Sequence, residues 1–535
     1  MANLTSVNIN GALIRKEGTG SSSTVDLSNA PFDGASAIEF ADQIYHGQYQ
    51  LAHDPHTPGR FVVAYHNEND SNMPSARVGQ VTGSTISWGN VSAAASSHAY
   101  PSMITAAFSP DVANKFVITH IWGATPRLMV QCGTIDSSNN ITWHGAAYSS
   151  GMTQPSTTPP HSAAMCFDPS WNSGGGAGAI AWARGDGYGE MATFTLNTSG
   201  SIAVGGGQVF TLLQNVYAPN GIDIQCDPNN ESKFLVAWVE VSSPYYGRVM
   251  IVDTSTWPFT EGTIYNFSED DVVIHPSISW DPNTANKFVI SYTKDWHNAK
   301  VCCAKVGNCA SGSGTNLTFG TETSYKTGGG FGRVVFNPNI AGAVYIAFRD
   351  QPNSDGFVIK GTVTYGSPDT IAFTGTGIEF RDGENLDWEY LSLAFDPFFT
   401  GKFYIAHGFR QGSNDTGGSI IVGKPRESKI TIDLSTGNYF EVDFQNVSGS
   451  INTFTITETL TGTQAQTFYL KVTQGSTARQ IEWTSISHIK WPTGPPGNEP
   501  PPTISTGNDA VDIFRFTTYD QGTTWHGEKI GQNFS

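Results

Sequence analysis

The chain of 535 residues carries little charge: only 14% of its residues are charged, and 28 basic side chains face 46 acidic ones. A net charge of −18 repels a phosphate backbone, so nucleic acid is not expected as a partner. Long hydrophobic runs are also missing. No segment approaches the ~20 apolar residues needed to cross a bilayer, so no membrane insertion is expected. Residues 1–10 lack the apolar core of a secretory signal, which implies synthesis in a cytoplasm. Six cysteines are too few for a disulfide scaffold. Cys302, Cys303 and Cys309 lack the paired C-x-x-C spacing of a zinc site, and Cys166 and Cys226 read as small buried hydrophobes.

The usual signatures of catalysis are absent as well. There is no Gly-x-Ser-x-Gly elbow between a strand and a helix, no His-Glu-x-x-His and no phosphate loop. The 13 arginines form no constellation suited to a sugar carboxylate. The acidic loops Asn67-Glu-Asn-Asp70 and Glu269-Asp-Asp271 read as solvated loops rather than calcium sites. The sequence therefore assigns no catalytic residue, no metal ligand and no cofactor, and leaves the ligand-binding residues unknown.

What is present is β-forming. The chain has 58 Gly, 28 Pro and 12% aromatic residues, and its short apolar runs are rich in Val, Ile, Phe, Tyr and Trp. Such a length suggests two to four domains. Seven times a short apolar strand is followed by an Asp/Asn/Ser-Pro turn, a few polar residues and a second apolar strand. The turns are Asp54-Pro55, Ser109-Pro110, Asp168-Pro169, Asp227-Pro228, Asp281-Pro282, Asn337-Pro338 and Asp396-Pro397, spaced 57 residues apart on average. Proline presets φ for a type I turn, and the preceding Asp, Asn or Ser accepts a hydrogen bond from the backbone it turns over. These residues are read as turn formers rather than catalytic acids.

The strand after each turn is apolar on both faces, as in Phe61-Val-Val-Ala-Tyr65 and Phe288-Val-Ile-Ser-Tyr292. Its fourth position is always small: Ala64, Thr119, Ala181, Ala237, Ser291, Ala347, Ala406. Its fifth is always a ring, and His120 and His407 read there as packed planar side chains. A strand covered on both sides belongs between stacked sheets, and seven such repeats predict a seven-bladed β-propeller.

Most repeats continue with a third strand ending near Gly-x-Val and a fourth of the type Ile86-Ser-Trp-Gly89. The seventh repeat lacks the fourth, and Ile38-Glu-Phe40 is expected to supply it, so that strand 36–42 closes the ring. The expected organisation is an N-terminal arm at 1–35, a propeller at 36–428 and a C-terminal β-sandwich, jelly-roll-like, at 429–535. The arm is Gly/Ser-rich and unable to fold alone. The proline-rich stretch 492–502 reads as an internal loop of the sandwich.

Three segments of the C-terminal region carry a family likeness: Gly437-Asn-Tyr-Phe-Glu-Val-Asp443; Val472-Thr-Gln-Gly-Ser-Thr-Ala-Arg479 with Trp483 and Lys490-Trp-Pro492; and Thr518-Tyr-Asp-Gln-Gly-Thr-Thr-Trp525 running to Ser535. They resemble a module of virion structural and tail-fibre proteins of marine bacteriophages of the cyanophage and pelagiphage type. The resemblance implies a virion location, other virion proteins as partners and a homo-oligomer or multiple copies. It also implies recognition of a host surface glycan or protein, or else a purely architectural role as capsid decoration or tail nozzle. A polysaccharide depolymerase ranks third. The segment holding Asp520, Gly522 and Trp525 also fits the Asp-box of sialidases. There the motif builds a hairpin and is structural.

Overall fold

The computed structural model describes residues 6–9, 12–15, 38–82, 85–94, 104–122, 127–147, 162–170, 176–183, 187–205, 208–209, 216, 221–240, 245–268, 272–295, 300–309, 316–350, 354–373, 375–381, 386–398, 402–410, 416–423, 428–434, 438–443, 451–457, 465–474, 480–481, 483, 488–492 and 502–534. Among them the only helix is one 3-10 turn, Glu68–Asp70, so no helix is long and apolar enough to cross a membrane. Backbone contacts divide the chain into two compact units, Phe32–Gly423 and Met1–Pro31 with Lys424–Ser535.

The first unit is a seven-bladed β-propeller, as the repeats predict. Seven antiparallel sheets, blades 1 to 7, follow one another along the chain. Their first strands are Ile44–His53, Ile104–Phe108, Ser162–Phe167, Ile222–Cys226, Ile274–Trp280, Gly329–Phe336 and Leu386–Phe395. Each packs on the first strand of the next blade, and the last packs on the first, so the ring is closed. The second strands are Arg60–Asn67, Lys115–Trp122, Gly176–Ala183, Lys233–Glu240, Lys287–Lys294, Ala343–Asp350 and Phe403–Arg410. Their fifth-position rings, Tyr65, His120, Trp182, Trp238, Tyr292, Phe348 and His407, are at most 1% exposed. Burying an apolar ring such as Phe348 between blades contributes about 1.5–3 kcal/mol.

The third strands are Met73–Thr82, Arg127–Ile135, Gly189–Leu196, Tyr246–Asp253, Val301–Cys309, Gly356–Thr364 and Thr416–Gly423. Their recurrent glycine has a packing cause. Gly79, Gly133, Gly307 and Gly423 lie directly opposite Phe61, Phe116, Phe288 and Phe403 of the second strand. The phenyl ring covers the glycine, and a Cβ built there would lie only 2.1–2.5 Å from ring carbons. Blade 3 reverses the pair: Gly178 stands in the second strand and Phe194 in the third, again with the ring over the glycine.

Closure differs in detail from the sequence reading. Ile38–Ala41 does pair with Thr416–Gly423, Ile38 opposite Ile420 and Ala41 opposite Gly418. Yet this is the near half of the third strand, where blade 1 pairs Ser92 with Ala76 and blade 6 pairs Ile378 with Val358. Ile38-Glu39-Phe40 is thus the counterpart of Ile378-Glu379-Phe380, a short segment that follows the fourth strand in blade 6, and not of the Ile-Ser-Trp-Gly strand. Phe40 completes the join by covering Gly418.

In the second unit, Ser6–Ile9 pairs antiparallel with Ala12–Arg15, a ladder the reading of residues 1–35 as an arm did not anticipate. Thr19–Thr24 and residues 493–501 lie outside the described residues. The C-terminal part holds a five-stranded mixed sheet and a separate parallel pair, Ser428–Asp433 with Ile451–Thr457. Tyr439–Asp443 runs parallel to Gln466–Thr473, which pairs antiparallel with Val511–Thr518 and through it with Trp525–Phe534. Phe468, Phe514, Phe516, Trp483 and Trp525 form its core.

Replacing Gly307 by Ala forces its Cβ into the Phe288 ring, 2.1 Å away. The substitution is expected to cost about 1–3 kcal/mol. Gly145→Ala, with nothing within 4 Å, is expected to leave the thermal midpoint unchanged. Calorimetry on the two variants makes the comparison.

Candidate functional site in the axial channel

The corner residues come first, because they decide what is left over for chemistry. In each turn the side chain accepts an N–H two or three residues on. Asp54 accepts from His56 at 2.8 Å, Asp168 from Ser170 at 2.9 Å, Asp227 from Asn229 at 2.9 Å and Asp281 from Asn283 at 2.8 Å. Asn337 accepts from Asn339 at 2.9 Å, Asp396 from Phe398 at 3.0 Å and Ser109 from Val112 at 3.0 Å. Pro55, Pro110, Pro169, Pro228, Pro282, Pro338 and Pro397 directly follow these acceptors.

The second carboxylate oxygen often reaches the next blade. Asp168 Oδ2 accepts from the Ser232 N–H at 2.7 Å, Asp281 Oδ2 from Gly342 at 3.3 Å and Asp396 Oδ2 from Gly59 at 2.9 Å. All three donors have positive φ, 64°, 70° and 74°, which turns the N–H out of its own hairpin toward the neighbouring corner. The corner acids are therefore spent on backbone amides and on neighbouring side chains, Arg60 at Asp54, Asn230 at Asp227, Tyr365 at Asp281 and Tyr404 at Asp396.

The first strands enclose a cavity of about 170 Å³ on the propeller axis, and all seven contribute to its wall. Register picks out one residue per blade, directly opposite the small fourth position of the second strand: Gln50, Thr105, Ala164, Asp223, Ser277, Arg333 and Ser392. All seven line the cavity, and Asp223 and Arg333 are the only charged residues in that lining.

Three of these side chains, together with Ser162 and Ser279 of the same strands, serve the backbone of the following blade. Ser162 Oγ accepts from Ile222 N–H at 3.3 Å and Asp223 Oδ2 from Ile278 N–H at 2.7 Å. Ser277 accepts from Val334 at 3.2 Å, Ser279 from Phe336 at 3.0 Å and Ser392 from Leu51 at 3.1 Å. Inner-edge amides that no strand can pair are thereby satisfied from the side. Arg333 breaks the pattern, because a guanidinium has only donors.

Burial pushes the Asp223 carboxyl up to about 6, against the opposing pull of Arg333 and the amides of Ile278 and Ile224. His275, on the adjoining first strand, is held down at about 3, chiefly by burial and then by Arg333. Its ring stays neutral at physiological pH.

The C-terminal hairpin holds the remaining candidates. Asp520 Oδ1 accepts from the Thr524 N–H and the Thr518 hydroxyl, both at 2.8 Å. Thr518 Oγ1 accepts from the Gly522 N–H at 2.9 Å, Gly522 has φ +84°, and Trp525 is fully buried beneath. This hairpin joins Val511–Thr518 to Trp525–Phe534.

Among the described residues no group of His, Cys, Asp and Glu is placed to hold a metal ion. All six cysteines are free and buried, and burial pushes the Cys302 and Cys303 thiols up to about 12. Asn67 caps the turn Glu68–Asp70, and 269–271 lie outside the described residues. Sequence reasoning missed Gln50, Asp223 and Arg333. The signal that could have found them is the small fourth position, whose cross-strand partner faces the axis.

No protein-family model and no curated protein matches the chain. Solved structures do. A BP39L lectin from Burkholderia pseudomallei is 11% identical, with a TM-score of 0.49 over 71% of this chain and 99% of that one. The GH74 xyloglucanase from Xanthomonas campestris is 9% identical, with a TM-score of 0.39 over 72% of this chain and 55% of that one. AofleA from Arthrobotrys oligospora is 10% identical, with a TM-score of 0.37 over 64% and 90%. At such scores the likeness carries no argument about ligand or activity.

The raised Asp223 fixes a pH dependence. From the ordinary value of 3.8 up to about 6 the folded state binds more protons than the unfolded chain, so this carboxyl makes stability fall as pH rises through that window. The contribution is about 3 kcal/mol or less. Thermal midpoints measured from pH 4 to 8 (about two units either side of the shifted value) should show this slope in the native chain and a flatter one in Asp223→Asn.

Proposed function

We propose that the chain is a bacteriophage virion structural protein, a tail or fibre component that recognises a host surface glycan or protein without catalysis. The observation that carries the non-catalytic part is the use of the propeller's interior acids. Asp54, Asp168, Asp227, Asp281 and Asp396 at the corners and Asp223 in the channel each accept backbone N–H groups. Carboxylates committed in this way brace a scaffold. Recognition then belongs to the loops of the propeller and to the C-terminal module.

The virion location rests on the resemblance carried by residues 437–443, 472–492 and 518–535. Such a component works in multiple copies beside other virion proteins. The C-terminal module is a two-layer sandwich on this reading. Ile432 and Ile456 of the separate parallel pair pack into the same core as Phe440, Phe468 and Trp525 of the larger sheet, which supports two facing layers.

The test uses purified full-length chain and marine bacterial cells susceptible to phages of this type. The chain is expected to sediment with intact cells, to compete with phage adsorption and to release no reducing ends from extracted surface polysaccharide. Sustained release of reducing sugar would overturn the non-catalytic reading, and failure to bind any susceptible host would overturn recognition.

A further inference from the structure

Side chains of the first strands accept amides of the following blade along part of the axis, and at one position a donor stands instead. Five bonds run from a first-strand N–H of one blade to a side-chain oxygen of the blade before it. Three of the acceptors, Asp223, Ser277 and Ser392, occupy the ring position itself, and their donors Ile278, Val334 and Leu51 each follow the ring residue of the next blade. In blade 7 the equivalent donor is Leu393, which follows Ser392, and the preceding ring residue is Arg333. At that junction two donors meet, whereas Asp223, Ser277 and Ser392 each set an acceptor against the following donor.

Arg333 and Leu393 both line the axial cavity, where Arg333 acts on Asp223 through its charge, with no hydrogen bond or salt bridge between the two among the described residues. A guanidinium has only donors, and here they open on the cavity with Asp223 as the one opposite charge in its lining. The backbone beside it is strained. His275 and Phe331, each two residues before a ring position, have φ of 55° and 63°, and bulges in both strands set the register there. Left-handed backbone at bulky residues persists where the surroundings hold it in place, commonly at ligand sites. Their rings meet at 4.3 Å, tilted by 45°, and the His275 ring lies close enough to Arg333 to feel its charge.

We infer that the axial cavity binds a small carboxylate, gripped by the fork of Arg333 and capped by the Leu393 N–H. A carboxylate presents two oxygens to the planar guanidinium fork. It is also a monoanion, which suits a cavity that already contains Asp223 better than a doubly charged phosphate does. A volume of about 170 Å³ admits a group the size of a single acidic sugar or smaller. This site goes beyond the recognition role proposed above and stands or falls without it. The shared chemistry is the carboxylate, whether free or borne on a sugar.

Titration calorimetry on the full chain with sodium acetate, sodium glucuronate and glucose tests the site. At least one of the two carboxylates is expected to bind with a millimolar or tighter Kd, while glucose does not. Binding of acetate marks a site open to free carboxylates, and binding of glucuronate alone marks a sugar-borne one. Arg333→Gln is expected to weaken binding about tenfold or more, and Arg333→Lys, which keeps the charge but loses the fork, to fall between. Thermal midpoints of both variants are measured alongside, so that a loss of fold is not counted as a loss of ligand. Failure of both carboxylates to bind the native chain, glucose binding as well as glucuronate, or a folded Arg333→Gln that binds as the native chain does would each overturn the inference.

Discussion

A closed ring of seven sheets turns seven strand edges toward its axis, and the amides on those edges need acceptors that no neighbouring strand can provide. An unsatisfied buried N–H costs about 1–3 kcal/mol. The chain meets this constraint with short polar side chains in the first strands, each serving the blade that follows. Because Ser392 serves Leu51, the chain of support passes from the last blade to the first. The corner acids repeat the arrangement elsewhere, from Asp168 to Ser232, Asp281 to Gly342 and Asp396 to Gly59. Apolar packing between blades is non-directional and would tolerate sliding. Where blades 3 and 4, 5 and 6, and 7 and 1 meet, directed bonds at two places fix the stagger.

Much of this architecture was legible because it rests on local chemistry. Asp227-Pro228 forms its corner by the bond that makes Asp good before Pro, and Phe234-Leu-Val-Ala-Trp238 is apolar on both faces because both are covered. What escaped the reading depends on register. Bulges in Ile274–Trp280 and Gly329–Phe336 shift the alternation, so counting by twos along those strands does not show that Ser277 and Arg333 face the axis. The closing segment was placed on the right blade but matched to the wrong strand type, because both candidates are short β segments. The repetition of Ile-Glu-Phe at 38–40 and 378–380 was the decisive clue. In the C-terminal unit, the parallel pairing of Tyr439–Asp443 with Gln466–Thr473 was hidden, since alternation looks the same in either strand direction.

The two charged residues of the channel show how one environment separates two roles. Burial holds the Asp223 proton more tightly than in water, against the pull of Arg333 and of two backbone amides. Arg333 offers only donors. The neutral His275 between them in sequence adds an aromatic wall without adding charge.

The reversed Phe and Gly of blade 3 bear on how such a chain diversifies. A second strand carrying Gly178 laid against an ordinary third strand would place glycine opposite glycine and leave a ring-sized void. The opposite graft would drive two phenyl rings into one space. Single strands are therefore not interchangeable among blades, whereas a second and third strand moved together carry their own complement. The module that recombination can trade within this ring is the hairpin.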